Sequence, residues 1–298
     1  MPDAMDRPAV TVVVPTYNRA ASLARLLDAL ADCDAPVGGR EVIVVDDGST
    51  DATTDVVRRS QVGARYVRQA NRGPAAARNA GWRLARSDVV AFTDDDTVPD
   101  RRWLVDLVGE LHDRPDRAAV GGTILPLGHG FLADFVQLER LVGHSVGDGD
   151  VRYLVTANAA WRLDALRAVG GFDERFPTAA GEDVDLSLRT IARGGRLGVT
   201  DRAVVRHDHR TSLRGLLRTY HRHGMSRQVL ARRHAQLGTA ATAAKIASGR
   251  YWLSRYRYYR EAGGAARSHA VAYLVLRAAG SLSFAVGLVR ARIAGSAG

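Results

Sequence analysis

The sequence predicts an α/β protein built on a doubly wound, mostly parallel sheet flanked by helices, with a helical, basic C-terminal extension. Three observations predict it. Short apolar, β-branched runs alternate with helix-forming stretches over the first 120 residues. Each of the clearest runs stops at a polar cluster. Past residue 205 the chain turns strongly basic and reads as helical.

The elements follow in order. Residues 10–14 (VTVVV) are continuously apolar and closed by Pro15, the pattern of a buried parallel strand. Ser22 is placed to cap the next helix, whose Leu23, Leu26, Leu27 and Leu30 share a face with Cys33. Residues 41–45 repeat the strand pattern and stop at Asp46-Asp47-Gly48-Ser49. Residues 51–59 read as helix, with Ser49 or Asp51 as its cap, and 65–67 as a third strand. Alanine-rich 75–85 is a helix. Residues 89–92 form a strand ending in Thr93-Asp94-Asp95-Asp96, ahead of a helix near 100–107. Beyond Val120 the pattern changes to glycine-rich stretches at 121–130 and 143–149. Residues 152–161 read as extended, 170–172 as a turn, 183–193 as helix, 196–206 as strand, and 212 onward as helix.

At 298 residues and 46% hydrophobic, the chain can bury one large domain plus an appendage. The single cysteine excludes an intrachain disulfide and no apolar signal-peptide core follows Met1, which predicts a cytoplasmic protein. The net charge of +10 averages two unlike parts. Residues 206–298 hold seventeen Arg and Lys against two acids, a net +15, leaving −5 for residues 1–205. A basic tail of this kind meets polyanions. Nucleic acid is not the expected partner, because the carboxylate clusters of the body would repel a phosphate backbone.

Those clusters carry the chemistry. No Gly-x-Gly-x-x-Gly or Gly-Lys-Ser/Thr loop is present, so a nucleoside diphosphate bound here would be neutralised by a cation. Asp94 and Asp96, at i and i+2 on an extended segment, point to one side and suit Mg2+ or Mn2+; the alternative is a solvated acidic turn. Asp46-Asp47 offers acceptors for a base or ribose, or else is only a helix entry. Gly181-Glu182-Asp183-Val184-Asp185 opens a helix with three acids, which either answer the helix dipole or supply a general base. His207-Asp208-His209 follows the last strand and offers a ligand. In open α/β sheets ligands bind beyond the carboxyl ends of the strands, so the strand-end clusters are expected on one rim.

Taken in order, Val12-Val13-Val14-Pro15-Thr16-Tyr17-Asn18-Arg19, Val44-Val45-Asp46-Asp47-Gly48-Ser49-Thr50-Asp51, Asn71-Arg72-Gly73 and Ala77-Arg78-Asn79-Ala80-Gly81 resemble glycosyltransferase family 2. So do Phe92-Thr93-Asp94-Asp95-Asp96, Gly170-Gly171-Phe172-Asp173-Glu174 and Gly181-Glu182-Asp183-Val184-Asp185-Leu186. The resemblance runs from about Val10 to about Gly224. It implies a GT-A fold, a nucleotide-sugar donor, a hydroxyl acceptor, a divalent metal and inversion at the anomeric carbon. It also implies a catalytic part at 1–224, with a nucleotide-sugar half near 9–120 and an acceptor half near 121–224, and an extension at 225–298.

Residue by residue, the resemblance puts Pro15, Tyr17 and Asp47 at the nucleobase and Arg19 and Arg78 near the donor. Asp94 goes to the ribose or metal, and Asp96 becomes the main metal ligand. Asp95 makes the middle of the motif acidic too, so the division of labour among the three stays open. His207 is the expected late metal ligand, with His209 its competitor. Asp183 is the expected base, and Asn158, Trp161 and Glu182 lie on the acceptor side.

In the tail, the basic and aromatic residues 251–260 suit an anionic membrane surface. Residues 269–289 are long enough to span but contain Arg277, so an interfacial or packed helix is expected. The protein is therefore expected in the cytoplasm or peripherally on the inner face of the membrane. The acceptor expected from this tail is a lipid-linked or cell-envelope glycan precursor, with a natural-product small molecule as the alternative.

Overall fold

The first apolar run becomes β1 (Val10–Thr16), buried along its whole length. Its period-two alternation serves two cores: Val10, Val12 and Val14 face one layer and Val13 the other. The first layer holds the leucine stripe of α1 (Ala20–Asp32) and Trp103, Leu104 and Leu107 of α4 (Trp103–Asp113). The second holds Trp82 of α3 (Pro74–Trp82), Leu166 of α6 (Leu163–Val169) and Leu186 of α7 (Glu182–Ala192). Helices thus cover both faces of the sheet, as a doubly wound fold requires. The computed structural model describes residues 8–147, 150–176, 178, 180–209, 212–234, 248–262 and 264–294.

The sheet has eight strands in the order β3-β2-β1-β4-β9-β6-β10-β5. β1 is joined in parallel by β2 (Arg40–Asp46) and β4 (Val89–Phe92), and β3 (Arg65–Arg68) adds to β2. β6 (Arg117–Pro126) and β10 (Arg196–His207) are parallel to each other. Only β9 (Ala159–Arg162) and β5 (Thr97–Pro99) run against the rest. A separate hairpin pairs β7 (Ser145–Gly147) with β8 (Asp150–Tyr153).

The structure corrects several local expectations. Ser22 caps nothing: α1 starts at Ala20, whose N–H donates to Asp51 Oδ2 at 2.9 Å. Asp51 Oδ1 also accepts from Thr53 N at 3.1 Å, at the entry of α2 (Thr53–Arg59), so one carboxylate serves two helices. Gly121 and Gly122, which open the glycine-rich stretch after Val120, lie inside β6. A Cβ on Gly122 would sit 2.1 Å from Ala203 O, so the neighbouring chain requires glycine there. Residues 152–161 divide between β8, a 3-10 turn at Thr156–Asn158 and β9. Cys33 is buried, as its helical spacing predicts.

The chain divides into two compact units. One comprises Met1–Leu127, Arg140–Arg175 and Glu182–Asp208; the other comprises Gly128–Glu139, Phe176–Gly181 and His209–Gly298. The second contains α5 (Phe131–Leu138), α8 (Leu213–Arg233), α9 (Gly249–Glu261) and α10 (Gly264–Ala294). Ser212 Oγ caps α8 by accepting from Gly215 N, and the helix runs unbroken through Gly224, where the sequence suggests a boundary. Residues 240–247 of the expected basic helix lie outside the described residues.

Part of the basic, aromatic segment faces inward. The buried Glu139 carboxylate accepts from Arg255 and from the Tyr259 hydroxyl. Arg277 Nε lies 3.2 Å from the same carboxylate, and Arg277 donates to the hydroxyls of Tyr251 (2.9 Å) and Tyr220 (3.0 Å). The arginine that interrupts the apolar run is thus part of an internal polar network, paired where a lone charge would be costly.

Candidate functional site

The β1 and β2 ends are stitched together first. Asn18 adopts φ +52, a left-handed conformation asparagine tolerates, and its Oδ1 accepts from Thr50 N at 2.7 Å. Its own N–H donates to Ser49 Oγ at 2.9 Å. Asp46 is fully buried and accepts from Ser49 N and Tyr66 OH. Asp47 accepts from Gln69 Nε2 (2.7 Å), Arg72 N (2.9 Å) and Gly73 N (2.8 Å), which fixes the loop leading into α3. Pro15 is buried in β1, while Tyr17 beyond it is 47% exposed with its ring available to a ligand.

The acidic triplet lies at the end of β4. β5 turns back antiparallel to β10 and places Thr97 opposite His207, with Asp208 N donating to Asp96 O at 2.8 Å. That pairing brings together residues more than a hundred positions apart. Asp94, Asp96 and His207 each offer a ligand atom, all within 4.8 Å of one another. His207 Nε2 is 3.3 Å from Asp96 Oδ1, and Arg19 donates to Asp96 Oδ2. Asp95 stands outside the trio: its Oδ2 accepts from Thr16 Oγ1 at 2.8 Å and its Oδ1 is 3.5 Å from Arg19. Burial pushes the Asp95 carboxyl up to about 7, against the lowering effect of Arg19. His209, the competing histidine, has its Nε2 3.1 Å from Gln137 Oε1.

Arg78 joins this trio to the acids of α7. Its guanidinium is buried, donating Nη2 to Asp94 Oδ1 at 2.7 Å and Nη1 to Glu182 Oε1 at 2.9 Å. Burial raises the pKa of Glu182, with Asp183 adding to it and Arg78 opposing. Burial also raises that of half-buried Asp183, against Arg78 and the Val184 N–H, which Asp183 Oδ1 accepts at 2.8 Å. Five carboxylates here (Asp94, Asp95, Asp96, Glu182, Asp183) face two arginines. That negative surplus and the oxygen-rich donor set fit a divalent cation held by Asp94, Asp96 and His207.

Two residues expected on the acceptor side are not in the cleft. Asn158 has no exposed surface: its Oδ1 accepts from Trp103 Nε1 at 2.7 Å and its Nδ2 donates to Thr123 O and Ala203 O. It ties α4 to β6 and β10 and has no donor left for a ligand. Trp161 is equally buried, edge-on to Phe92 at 5.9 Å. Both sit where β9 passes through the middle of the sheet, so they are core residues. Glu182 is also buried, but at the site, through Arg78.

The sequence model of Glycosyl transferase family 2 matches residues 11–161, and that of Glycosyl transferase family group 2 matches residues 89–290. The chain belongs to glycosyltransferase family 2. It is similar to the pre-mycofactocin glycosyltransferase of Mycobacterium tuberculosis, 38% identical over 238 residues, covering 76% of this chain and 48% of that protein. It is also similar to validoxylamine A glucosyltransferase of Streptomyces hygroscopicus, at 33% over 220 residues, covering 63% and 52%. The chain spans about half the length of these curated relatives.

Among solved structures, the mannosyltransferase PcManGT from Pyrobaculum calidifontis, in complex with GDP-Man and Mn2+, gives a TM-score of 0.64 at 26% identity, covering 95% of this chain and 89% of that one. S. aureus TarS 1–349 in complex with UDP-GlcNAc gives 0.57 at 18% identity, covering 96% and 92%, a likeness of fold alone. The eight-stranded, mostly parallel sheet of this family 2 chain is accordingly a GT-A fold.

Within that fold, two residues emerge that the sequence left without roles. Asn18 locks the two strand-end loops, and Asn79 makes four hydrogen bonds, to Phe172 N and O, Trp82 Nε1 and Glu174 Oε1, that hold the Gly170-Gly171-Phe172 turn. Each sits inside a motif already quoted for its neighbours, and that is the only signal either offers.

Proposed function

We propose that this chain is an inverting, divalent-cation-dependent glycosyltransferase that moves a sugar from a nucleotide-sugar to an acceptor hydroxyl. One observation carries the reading: Asp94, Asp96 and His207 converge beside the Glu182-Asp183 pair, with buried Arg78 bonded to both groups. Mg2+ or Mn2+ held by Asp94, Asp96 and His207 would offset the charge gathering on the leaving diphosphate; Mn2+ has the support of the mannosyltransferase neighbour. Tyr17 stacks on the nucleobase beside Pro15 and Asp47, and Arg19 faces the donor from the edge of the triplet.

Asp183 takes the proton from the acceptor hydroxyl as the glycosidic bond forms. A carboxyl whose pKa burial has raised is a stronger base than one in water, which suits a general base. Arg78 holds the Glu182-Asp183 end of α7 in register with Asp94, and Glu182 shapes the acceptor side through it. Asp183→Asn keeps the shape and removes the proton acceptor. Turnover should fall about a hundredfold or more with donor affinity intact. Normal turnover at saturation with lost donor affinity would make Asp183 a binding residue and overturn the assignment.

For the acceptor, the basic C-terminal segment supports a lipid-linked or cell-envelope glycan precursor at the cytoplasmic face of a membrane. The pre-mycofactocin and validoxylamine A relatives support a second reading, a small-molecule acceptor. Transfer to a detergent-free, water-soluble acceptor decides between them.

A further inference from the structure

α10 has two unlike faces. Its inner face buries Ala270, Tyr273, Gly280, Ser281 and Gly287, with Arg277 turned into the polar network with Tyr220 and Tyr251. Its outer face exposes Val271 (65%), Val275 (64%), Leu282 (68%), Val286 (54%), Val289 (54%) and Ile293 (66%). Steps of three, four and seven residues set these side chains on one stripe, about 33 Å long at 1.5 Å per residue. Exposed Ala272, Ala278 and Ala285 fill the gaps between them, and exposed Arg267 and Arg290 stand as charged borders near its two ends. A continuous aliphatic face of this length marks a contact surface.

Charge identifies what covers it. Exposed Arg250, Arg257 and Arg260 of α9 add to Arg267 and Arg290, while Glu261 is the one acid on the two helices. A second copy of the chain would set these cations against their own kind. Anionic phospholipid offers both an apolar layer for the stripe and phosphates for its arginine borders. Arg267–Ala291 is long and apolar enough to cross a membrane, but its inner face is packed on α8. The closeness of that packing is set by glycine: a Cβ on Gly224 would meet Phe284 O at 2.0 Å, and one on Gly287 would meet His221 O at 2.1 Å. Spanning would carry α8, with Arg218, Arg222 and Arg227, into hydrocarbon at high cost.

We propose that the outer face of α10, from Val271 to Ile293, lies in one anionic leaflet as an interfacial helix, with Arg267 and Arg290 at the headgroups. This rests on α10 and its neighbours α8 and α9, and stands apart from the glycosyl-transfer reading. The test is flotation of the full chain with vesicles of phosphatidylcholine alone or containing phosphatidylglycerol. The wild type floats with the anionic vesicles, and less at high salt. The triple variant Val275→Gln, Leu282→Gln, Val286→Gln keeps the net charge, melting curve and donor hydrolysis, and loses about tenfold or more in partitioning. Arg267→Gln with Arg290→Gln weakens binding to anionic vesicles only. A wild type that stays in solution beside anionic vesicles at low salt overturns the proposal. So does a triple variant that still floats, or a vesicle-indifferent dimer that the triple variant dissolves, which would make a second copy the occupant. Loss of donor hydrolysis in the wild type would instead count against the catalytic reading and leave the flotation result to stand by itself.

Discussion

Asp95→Asn should stabilise the protein above neutral pH. The Asp95 carboxyl is 7% exposed, and burial raises its pKa from 3.8 to about 7. Because the folded value lies above the unfolded one, its charge opposes folding. That penalty is absent below pH 3.8, grows as pH rises to about 7, and is constant beyond. With those two values the penalty is on the order of 2 kcal/mol at pH 5 and 4 kcal/mol at pH 8. Asparagine removes it while keeping an oxygen for the Thr16 hydroxyl. It forfeits the 3.5 Å ion pair with partly exposed Arg19, worth about 1 kcal/mol or less. The variant's advantage should therefore be about 2 kcal/mol larger at pH 8 than at pH 5, a Tm difference of about 5 °C. Thermal melts of both proteins in EDTA at the two pH values measure it. An equal Tm difference at pH 5 and pH 8 would refute the burial argument. Since Asp95 lies outside the Asp94-Asp96-His207 trio, the variant should also retain metal-supported turnover.

Three further outcomes are expected. Asp96→Ala should abolish turnover and His207→Ala should weaken Mn2+ or donor binding more than His209→Ala, by calorimetry; full activity in excess EDTA, or the reverse order of the histidines, would contradict the metal assignment. Arg78→Lys should fold but lose about tenfold or more in kcat with little change in donor KM, because an ammonium cannot bridge Asp94 and Glu182 as the planar fork does; wild-type kcat would remove Arg78 from the positioning role. Gly224→Ala should lower stability by about 1–3 kcal/mol despite a helix-propensity gain of about 1 kcal/mol, because the new methyl meets the α10 backbone; an unchanged denaturation midpoint would show that the helices part without cost.

Much of this protein is legible in its sequence because the relevant signals are local. Valine-rich runs set β1, β2 and β4 within two residues of their ends, since continuous β-branched burial has few other solutions. The leucine spacing of α1 likewise names the residues it buries. β6 was not legible: its glycines mimic a loop, and only the approach of Ala203 and His144 explains them. Asn158 and Trp161 carried a functional resemblance, yet the 3-10 turn before β9 and β9 itself take them into the core.

The site divides the same way. Composition and order alone determined that acids follow strands and that no glycine-rich phosphate loop is present, and so raised the expectation of a cation in its place. Which acids share a point in space was decided by pairing across the chain. β5 folding against β10 sets His207 beside Asp96, and one buried arginine ties Asp94 to Glu182, which are far apart in the chain. Residue spacing encodes direction along a strand or around a helix, but not the distance between elements; that distance is set by hydrogen-bonded register and by packing, which exist only in the folded chain.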